Sequence, residues 1–311
     1  MDVVLLFPGQ GSQKPGMGKD VAEAYPAARD VFARADAALG APLSQLCFEG
    51  PAEELTLTHN AQPALLTHGA AVWAATRDVI GANVLAAAGH SLGELTAYHA
   101  AESMSLEHAV RVVRRRGELM YESGVKRPGA MAAILGDTNR PVEEICAQAT
   151  LEAGTVVPAN YNCPGQLVLS GEIAGVDRAM ELCKEACAKR AIKLNVSGAF
   201  HSPLMESAVG GLSEALAGAE FTDPHFPVYA NVNGEPVTTA DRGKELLLEQ
   251  LSNPVRWTTE ILAMTQRFSD ALFVEMGPGA VLVGLVKKIA PSVKTATCGT
   301  AAEVAQLRNL Q

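Results

Sequence analysis

The chain lacks most of the features that would commit it to a specialised class. No apolar run approaches the ~18 residues needed to cross a bilayer. The first residues, Met1-Asp2-Val3-Val4-Leu5-Leu6-Phe7-Pro8, offer an acid at position 2 and a short apolar run stopped by proline, not the basic start and long apolar core of a secretion signal. A soluble, cytoplasmic protein without a membrane partner is expected. With 19% charged residues and a net charge of −9, the broad basic footprint of a nucleic-acid binder is missing, and any acidic partner must use a local basic patch. The six cysteines, Cys47, Cys146, Cys163, Cys183, Cys187 and Cys298, include no Cys-x-x-Cys pair, which excludes the usual zinc and redox spacings. They are expected to be reduced and mostly buried, and no metal site is expected where Cys183 and Cys187 share a predicted helix face without a nearby histidine. Neither the dinucleotide fingerprint nor the Walker pattern is present.

What is present is core-forming material: 311 residues, 48% of them hydrophobic, enough for about two domains of an α/β protein. Val3 to Phe7, closed by Pro8-Gly9, and Val84 to Ala88, closed by Gly89, read as strands buried on both faces of a mostly parallel sheet. Asn60 to Val79 and Ser105 to Glu122 have helical spacing, the first with Pro63 in its first turn and the second with Ser105 as N-cap. From Pro128 the rhythm changes. Strands are predicted at Ala130 to Leu135, Thr155 to Asn160, Gln166 to Ser170 and Ile192 to Val196, with helices at Val142 to Ala153 and Val176 to Lys189 and a turn at Asn162-Cys163-Pro164-Gly165. That order is βαββαβ, the ferredoxin-like unit, and it predicts a subdomain at 127–195 inserted into a core made of 1–126 and 196–311. A helix from Pro203 to Leu216 and strands at Val228 to Val232 and Ala271 to Glu275 complete the core.

The chemistry concentrates at Ala86-Ala87-Ala88-Gly89-His90-Ser91-Leu92-Gly93-Glu94, where a small apolar strand runs into Gly-x-Ser-x-Gly. Such a turn pushes the serine hydroxyl out at the carboxyl end of a sheet and aims the Leu92 N–H at a developing oxyanion. A serine nucleophile needs a base. Of seven histidines, His201 stands out, in a loop of small residues where the inserted segment rejoins the core. His90 abuts the serine, but its side chain must point away. The loop Phe7-Pro8-Gly9-Gln10-Gly11-Ser12-Gln13 follows the first strand and could bring the Gln10 N–H to the same crevice as a second oxyanion donor; the plainer alternative is an ordinary strand-to-helix loop. In Arg114-Arg115-Arg116, successive side chains point ~100° apart, so one lies towards the buried side and needs an anion. A salt bridge to the protein's own acid and a site for a substrate carboxylate both satisfy that need.

These motifs, together with Arg116-Gly117, Gly198-Ala199-Phe200-His201-Ser202, Gln250-Leu251 before Asn253-Pro254-Val255, and Glu275-Met276-Gly277-Pro278-Gly279, closely resemble the malonyl-CoA:acyl-carrier-protein transacylase family, relatives of polyketide-synthase acyltransferase domains. The resemblance spans nearly the whole chain and implies an α/β-hydrolase-like core with a ferredoxin-like subdomain. It further implies that Ser91 is the acylated nucleophile and His201 its base, held by the Gln250 backbone carbonyl. Gln10 and Leu92 amides would form the oxyanion hole, Arg116 would pair with the malonyl carboxylate, and Asn160 and Phe200 would border the substrate. The partners implied are malonyl-CoA, as substrate and not cofactor, and acyl carrier protein; no cofactor and a monomer are expected. The segment Tyr98-His99-Ala100-Ala101-Glu102 is more polar than the family pattern, which puts the packing of that helix in question. For carrier docking, Lys184, Lys189, Arg190 and Lys193 are the basic cluster favoured over Lys287-Lys288. Sequence alone leaves open a serine hydrolase with an acidic third member and water as acceptor, and a non-catalytic carrier-binding module.

Overall fold

The computed structural model describes residues 1–309. Its strands are β1 (Val3–Phe7), β2 (Val84–Gly89), β3 (Gly129–Leu135), β4 (Val156–Cys163), β5 (Gln166–Glu172), β6 (Arg190–Lys193), β7 (Val228–Tyr229), β8 (Pro236–Val237), β9 (Leu272–Met276) and β10 (Lys294–Cys298). They form a six-stranded sheet in the order β10-β9-β1-β2-β7-β8 and a four-stranded sheet in the order β4-β5-β3-β6. In the larger sheet every pairing is parallel except that of β8 with β7 at one edge. Val3, Leu5 and Phe7 enter one apolar core and Val4 and Leu6 another. This is why β1 reads as an unbroken apolar run: both faces are covered by helices.

The parallel direction of β1, β2 and β7 has one consequence that matters for the site. The loops that follow them, carrying Gln10, Ser91 and Asn231, all leave the sheet at the same carboxyl edge. The second sheet is antiparallel throughout, in the ferredoxin-like order. Helices Val142–Ala153 and Ile173–Glu185 cover one face, bringing Ile145 and Val176 into a shared core with Ala132, Ile134 and Leu169. Met131, Ala133 and Val168 look the other way, into a cleft against the larger sheet. The pleat's period of two thus divides this sheet between its own core and the cleft.

Several boundaries differ from the sequence expectation. The predicted turn at 162–165 narrows to Pro164-Gly165, with Gly165 at φ +71° and Asn162 and Cys163 inside β4. The second helix of the small unit ends at Glu185, so Cys187, at φ +71°, lies beyond it and does not share a helix face with Cys183. The last strand of this unit is Arg190–Lys193 and not 192–196. Its side chains are largely exposed because it is an edge strand, while the apolar Leu194 and Val196 face the cleft. Only Val228–Tyr229 of the predicted 228–232 strand pairs, because the chain leaves the sheet at Ala230 to bring Asn231 under Ser91. β10, an edge strand with partly exposed residues, lacks the apolar run that would have marked it. Five cysteines are buried and Cys187 is exposed, all unpaired. Among the described residues no helix is long and apolar enough to cross a membrane, and no group of three or more His, Cys, Asp or Glu is placed to hold a metal.

Candidate active site

At the end of β2 the chain turns through Ser91, at φ 54° and ψ −111°, into the helix Leu92–Ala100. A Cβ on Gly89 would run into the Gly93 backbone, and one on Gly93 into the Phe7 carbonyl oxygen. Both glycines are therefore demanded by contact, within the turn and with β1. A non-glycine residue in this conformation stores about 1–3 kcal/mol of strain. Hydrogen bonds on both sides hold it there: the Ser91 N–H donates to Asn231 Oδ1 at 2.7 Å, and the Ser91 carbonyl accepts from Gln250 Nε2 at 3.0 Å.

Ser91 Oγ lies 2.8 Å from His201 Nε2, and His201 Nδ1 lies 2.8 Å from the Gln250 carbonyl oxygen. Gln250 caps the carboxyl end of the helix Ala240–Glu249, where free carbonyls and the helix dipole favour a donor. The Nδ1–H tautomer follows, leaving Nε2 to accept the serine proton. No carboxylate occupies the third position. Burial, reinforced by the neighbouring Arg116 charge, pushes the His201 pKa down to about 3, so the ring is a neutral acceptor at physiological pH. Its backbone, at φ 56°, is also in the left-handed region.

Of the three successive arginines in the helix Leu106–Lys126, Arg115 is exposed, Arg114 half-buried and Arg116 only 1% exposed. Gly117 lets this helix close on Thr58–Ile80, since a Cβ there would sit 2.7 Å from His59 Cα. That approach brings Gln62 to Arg116: Nη1 donates to Gln62 Oε1 at 2.7 Å, while Nη2 donates to Gln250 Oε1 at 2.8 Å and to Ser91 Oγ at 3.2 Å. Nε has no partner, and among the described residues no carboxylate forms an ion pair with this guanidinium. Burial lowers its pKa to about 10, and nearby Glu94 opposes that. A buried cation bonded only to neutral groups is a site for an anion.

The cleft in front of these groups has a volume of about 420 Å³. Gln10, Leu92, Asn160 and Phe200 all line it, and neither the Gln10 nor the Leu92 N–H has a hydrogen-bond acceptor among the described residues. All eight residues singled out from the sequence therefore converge, although Asn160 and Phe200 border the cleft without hydrogen-bonding the serine, histidine or arginine. His90 does point away from Ser91, with Nε2 2.9 Å from Asn162 Oδ1 and the ring 5.6 Å from that of Trp257. Lys193, part of the favoured basic cluster, is tied to Asp177 at 2.7 Å and is not a free cation. Lys287 and Lys288 close the helix Val281–Ile289, whose Val281, Leu282 and Leu285 form part of the cleft wall.

An acyl transferase domain model matches residues 4–307. The malonyl CoA-acyl carrier protein transacylase of Bacillus subtilis is 48% identical over 94% of this chain and 92% of its own. The chain belongs to the acyl transferase family, among the malonyl CoA-acyl carrier protein transacylases. Its fold matches the crystal structure of the acyl-carrier-protein S-malonyltransferase of Bartonella henselae with a TM-score of 0.94 at 41% identity, covering 100% of this chain and 99% of that one. A malonyl-transacylase solved in complex with a type II polyketide-synthase acyl-carrier protein matches with a TM-score of 0.94 at 38% identity, covering 100% of both chains.

Sequence reasoning missed Gln62, Glu94, Asn231 and Glu260, which bond the site's residues or one another, and Asn162, which holds His90. Glu94 carried a signal, a carboxyl directly after the elbow in an otherwise apolar helix turn. The others gave none, because their contacts join segments 29 to 142 residues apart.

Proposed function

We propose that this acyltransferase moves a malonyl group from malonyl-CoA to the pantetheine thiol of acyl carrier protein through a malonyl-Ser91 intermediate, in ping-pong fashion, in the cytoplasm, as a monomer without a bound cofactor. The observation that carries the reading is the position of Ser91 Oγ, 2.8 Å from the acceptor nitrogen of His201 and 3.2 Å from a buried arginine without an acid partner. Ser91 Oγ attacks the thioester carbonyl as His201 Nε2 takes its proton. The tetrahedral oxyanion is met by the Gln10 and Leu92 amides, and its collapse expels the coenzyme A thiolate, which recovers the proton from His201. The pantetheine thiol then attacks the malonyl-serine ester by the same steps in reverse.

Arg116 takes the malonyl carboxylate. That contact selects the acyl group, since an acetyl chain leaves the buried guanidinium without an anion. It also tunes the base, because neutralising Arg116 removes one of the three influences, with burial and His90, that depress His201. A neutral imidazole backed by a carbonyl in place of a carboxylate further suits transfer to a thiol, which is more easily deprotonated than water.

Intact-mass spectrometry after brief exposure to malonyl-CoA tests the reading. One added malonyl group is expected on the native chain and none on Ser91→Ala, while His201→Ala should acylate about 10²–10⁴-fold more slowly with its fold intact. Labelling that persists in Ser91→Ala, or steady release of free malonate at a rate rivalling transfer, would replace this reading with another nucleophile or with a hydrolase.

A further inference from the structure

Two side-chain amides grip the strained Ser91 peptide from opposite sides, and each is turned the right way round by a buried carboxyl. Asn231 Nδ2 donates to the Gly89 carbonyl at 2.8 Å and to Glu260 Oε2 at 3.0 Å, which turns its Oδ1 towards the Ser91 N–H. Gln250 Nε2 donates to Glu94 Oε2 at 2.7 Å and to the Ser91 carbonyl at 3.0 Å, which turns its Oε1 towards Arg116. Glu94 Oε2 also accepts the Asn231 N–H at 3.1 Å. Asn231, Gln250, Glu94 and Glu260 are each 0% exposed. Reversing either amide would set donor against donor or acceptor against acceptor, at the full cost of burying unpaired polar groups.

We propose that Glu94 and Glu260 are positioning residues, the acceptors that fix the amide orientation of Gln250 and Asn231 and, through them, the Ser91 turn and the Arg116 guanidinium. The two are not equivalent. Glu94 acts through Gln250 on both Ser91 and Arg116, whereas Glu260 acts through Asn231 on the Ser91 turn and reaches Arg116 only by way of the longer bond from Gln250 Nε2 to Asn231 Oδ1, at 3.3 Å. As devices for stability they are poor choices, because buried charged groups are often replaced by apolar ones at no loss. Neither Oε1 has a partner, and the Tyr98 hydroxyl close by has none either. Burial raises Glu94 to about 7 and Glu260 well above its ordinary value. The groups facing the pair are Tyr98, Arg116, Asn231 and Gln250, with Arg242 behind Tyr98. A protonated carboxyl loses nothing as an acceptor at Oε2.

The readout rests on the malonyl-Ser91 reading. Full-length Glu94→Leu, Glu94→Gln, Glu260→Leu and Glu260→Gln would be compared with the native chain by circular dichroism and by the acylation rate with malonyl-CoA and acetyl-CoA. Both leucine variants are expected to take up malonyl at least about tenfold more slowly, the scale of one buried hydrogen bond to a positioned group. Glu94→Leu should also narrow the malonyl-to-acetyl ratio about tenfold, while Glu260→Leu, one bond further from Arg116, narrows it by less than about threefold. The glutamine variants, which keep an acceptor in place, should recover most of each loss. If a leucine variant does not fold, the corresponding aspartate variant, which withdraws the acceptor by one methylene, carries the same expectation. Leucine or aspartate variants that acylate within about threefold of native, or that change the ratio alike, overturn the inference. A native chain that transfers malonyl without ever carrying it overturns the malonyl-Ser91 reading and this inference together.

Discussion

The two walls of the cleft are built on opposite principles. The wall from the parallel sheet is polar, strained and over-determined: Ser91 and His201 both sit at positive φ, and Ser91, His201 and Arg116 are each held by partners that are themselves held. The wall from the antiparallel sheet is mainly apolar, Met131, Ala133, Val168, Leu194 and Val196, joined by Asn160, Asn162 and Gln166, its apolar side chains left over from a sheet whose other face packs its own core. Chemistry needs atoms fixed to within a fraction of an ångström, which only a network of directional bonds supplies. Shape-filling needs volume and no direction, so an apolar surface suffices and tolerates change. Substitutions of equal size should therefore have unequal effects on the two walls.

The largest effect expected is on the polar wall. Arg116→Ala should lower malonyl transfer about ten- to a hundredfold more than acetyl transfer, the worth of a charge-assisted hydrogen bond. Competition between malonyl-CoA and acetyl-CoA in one reaction measures the ratio directly. Equal losses with the fold intact would make Arg116 a structural cation and dissolve the contrast between the walls.

A middle-sized effect sharpens the comparison through pH. Glu94 is raised to about 7 and Glu260 well above its ordinary value in the folded state, so above about pH 4.5 the unfolded chain binds fewer protons than the fold does. Their contribution is fully present below pH 4.5 and is lost as pH rises, through 7 for Glu94. His68 and His201, lowered to about 4 and about 3, act the other way: their stability is present above pH 6.5 and is lost as pH falls towards 3. With His59, His90 and His99 lowered as well, thermal unfolding should be latest near pH 6.5 and fall by a few degrees by pH 8. The Glu94→Gln/Glu260→Gln double variant should flatten the alkaline side and leave the acid side alone. A native unfolding temperature that is level from pH 5.5 to 8.5 would contradict the assignment.

The smallest effect belongs to the apolar wall. Val196→Ala removes two methyl groups from a half-buried side chain, and at about 0.8 kcal/mol per methylene-sized group its KM should rise by less than about tenfold with kcat little changed. Steady-state kinetics with carrier protein held constant would detect this split. A large fall in kcat instead would mean that this wall, too, positions the reacting atoms.

Legibility followed the range of the forces involved. β1, β2, the elbow and the helix Leu106–Lys126 were readable because burial on both faces, a glycine-flanked turn and helical periodicity are written within one segment. β10 and β6 were missed or misplaced because edge strands need little apolar content, and Leu194 and Val196 misled because they are apolar for the cleft and not for the sheet. The residues Ser91, His201 and Arg116 could be named in advance, yet two outcomes for Arg116, ion pair or open anion site, stayed equally consistent with its sequence.

What the sequence by itself determined is the family, the strands and helices around the elbow, and the turn that presents Ser91, since each rests on short-range patterns of residue type. Only the tertiary structure decided that Gln250 serves through its side chain as well as its carbonyl, that Arg116 is left without an acid, and that Glu94 and Glu260 stand behind Asn231 and Gln250. Those facts depend on the direction in which buried donors and acceptors point, and direction is set by packing between segments far apart in the chain.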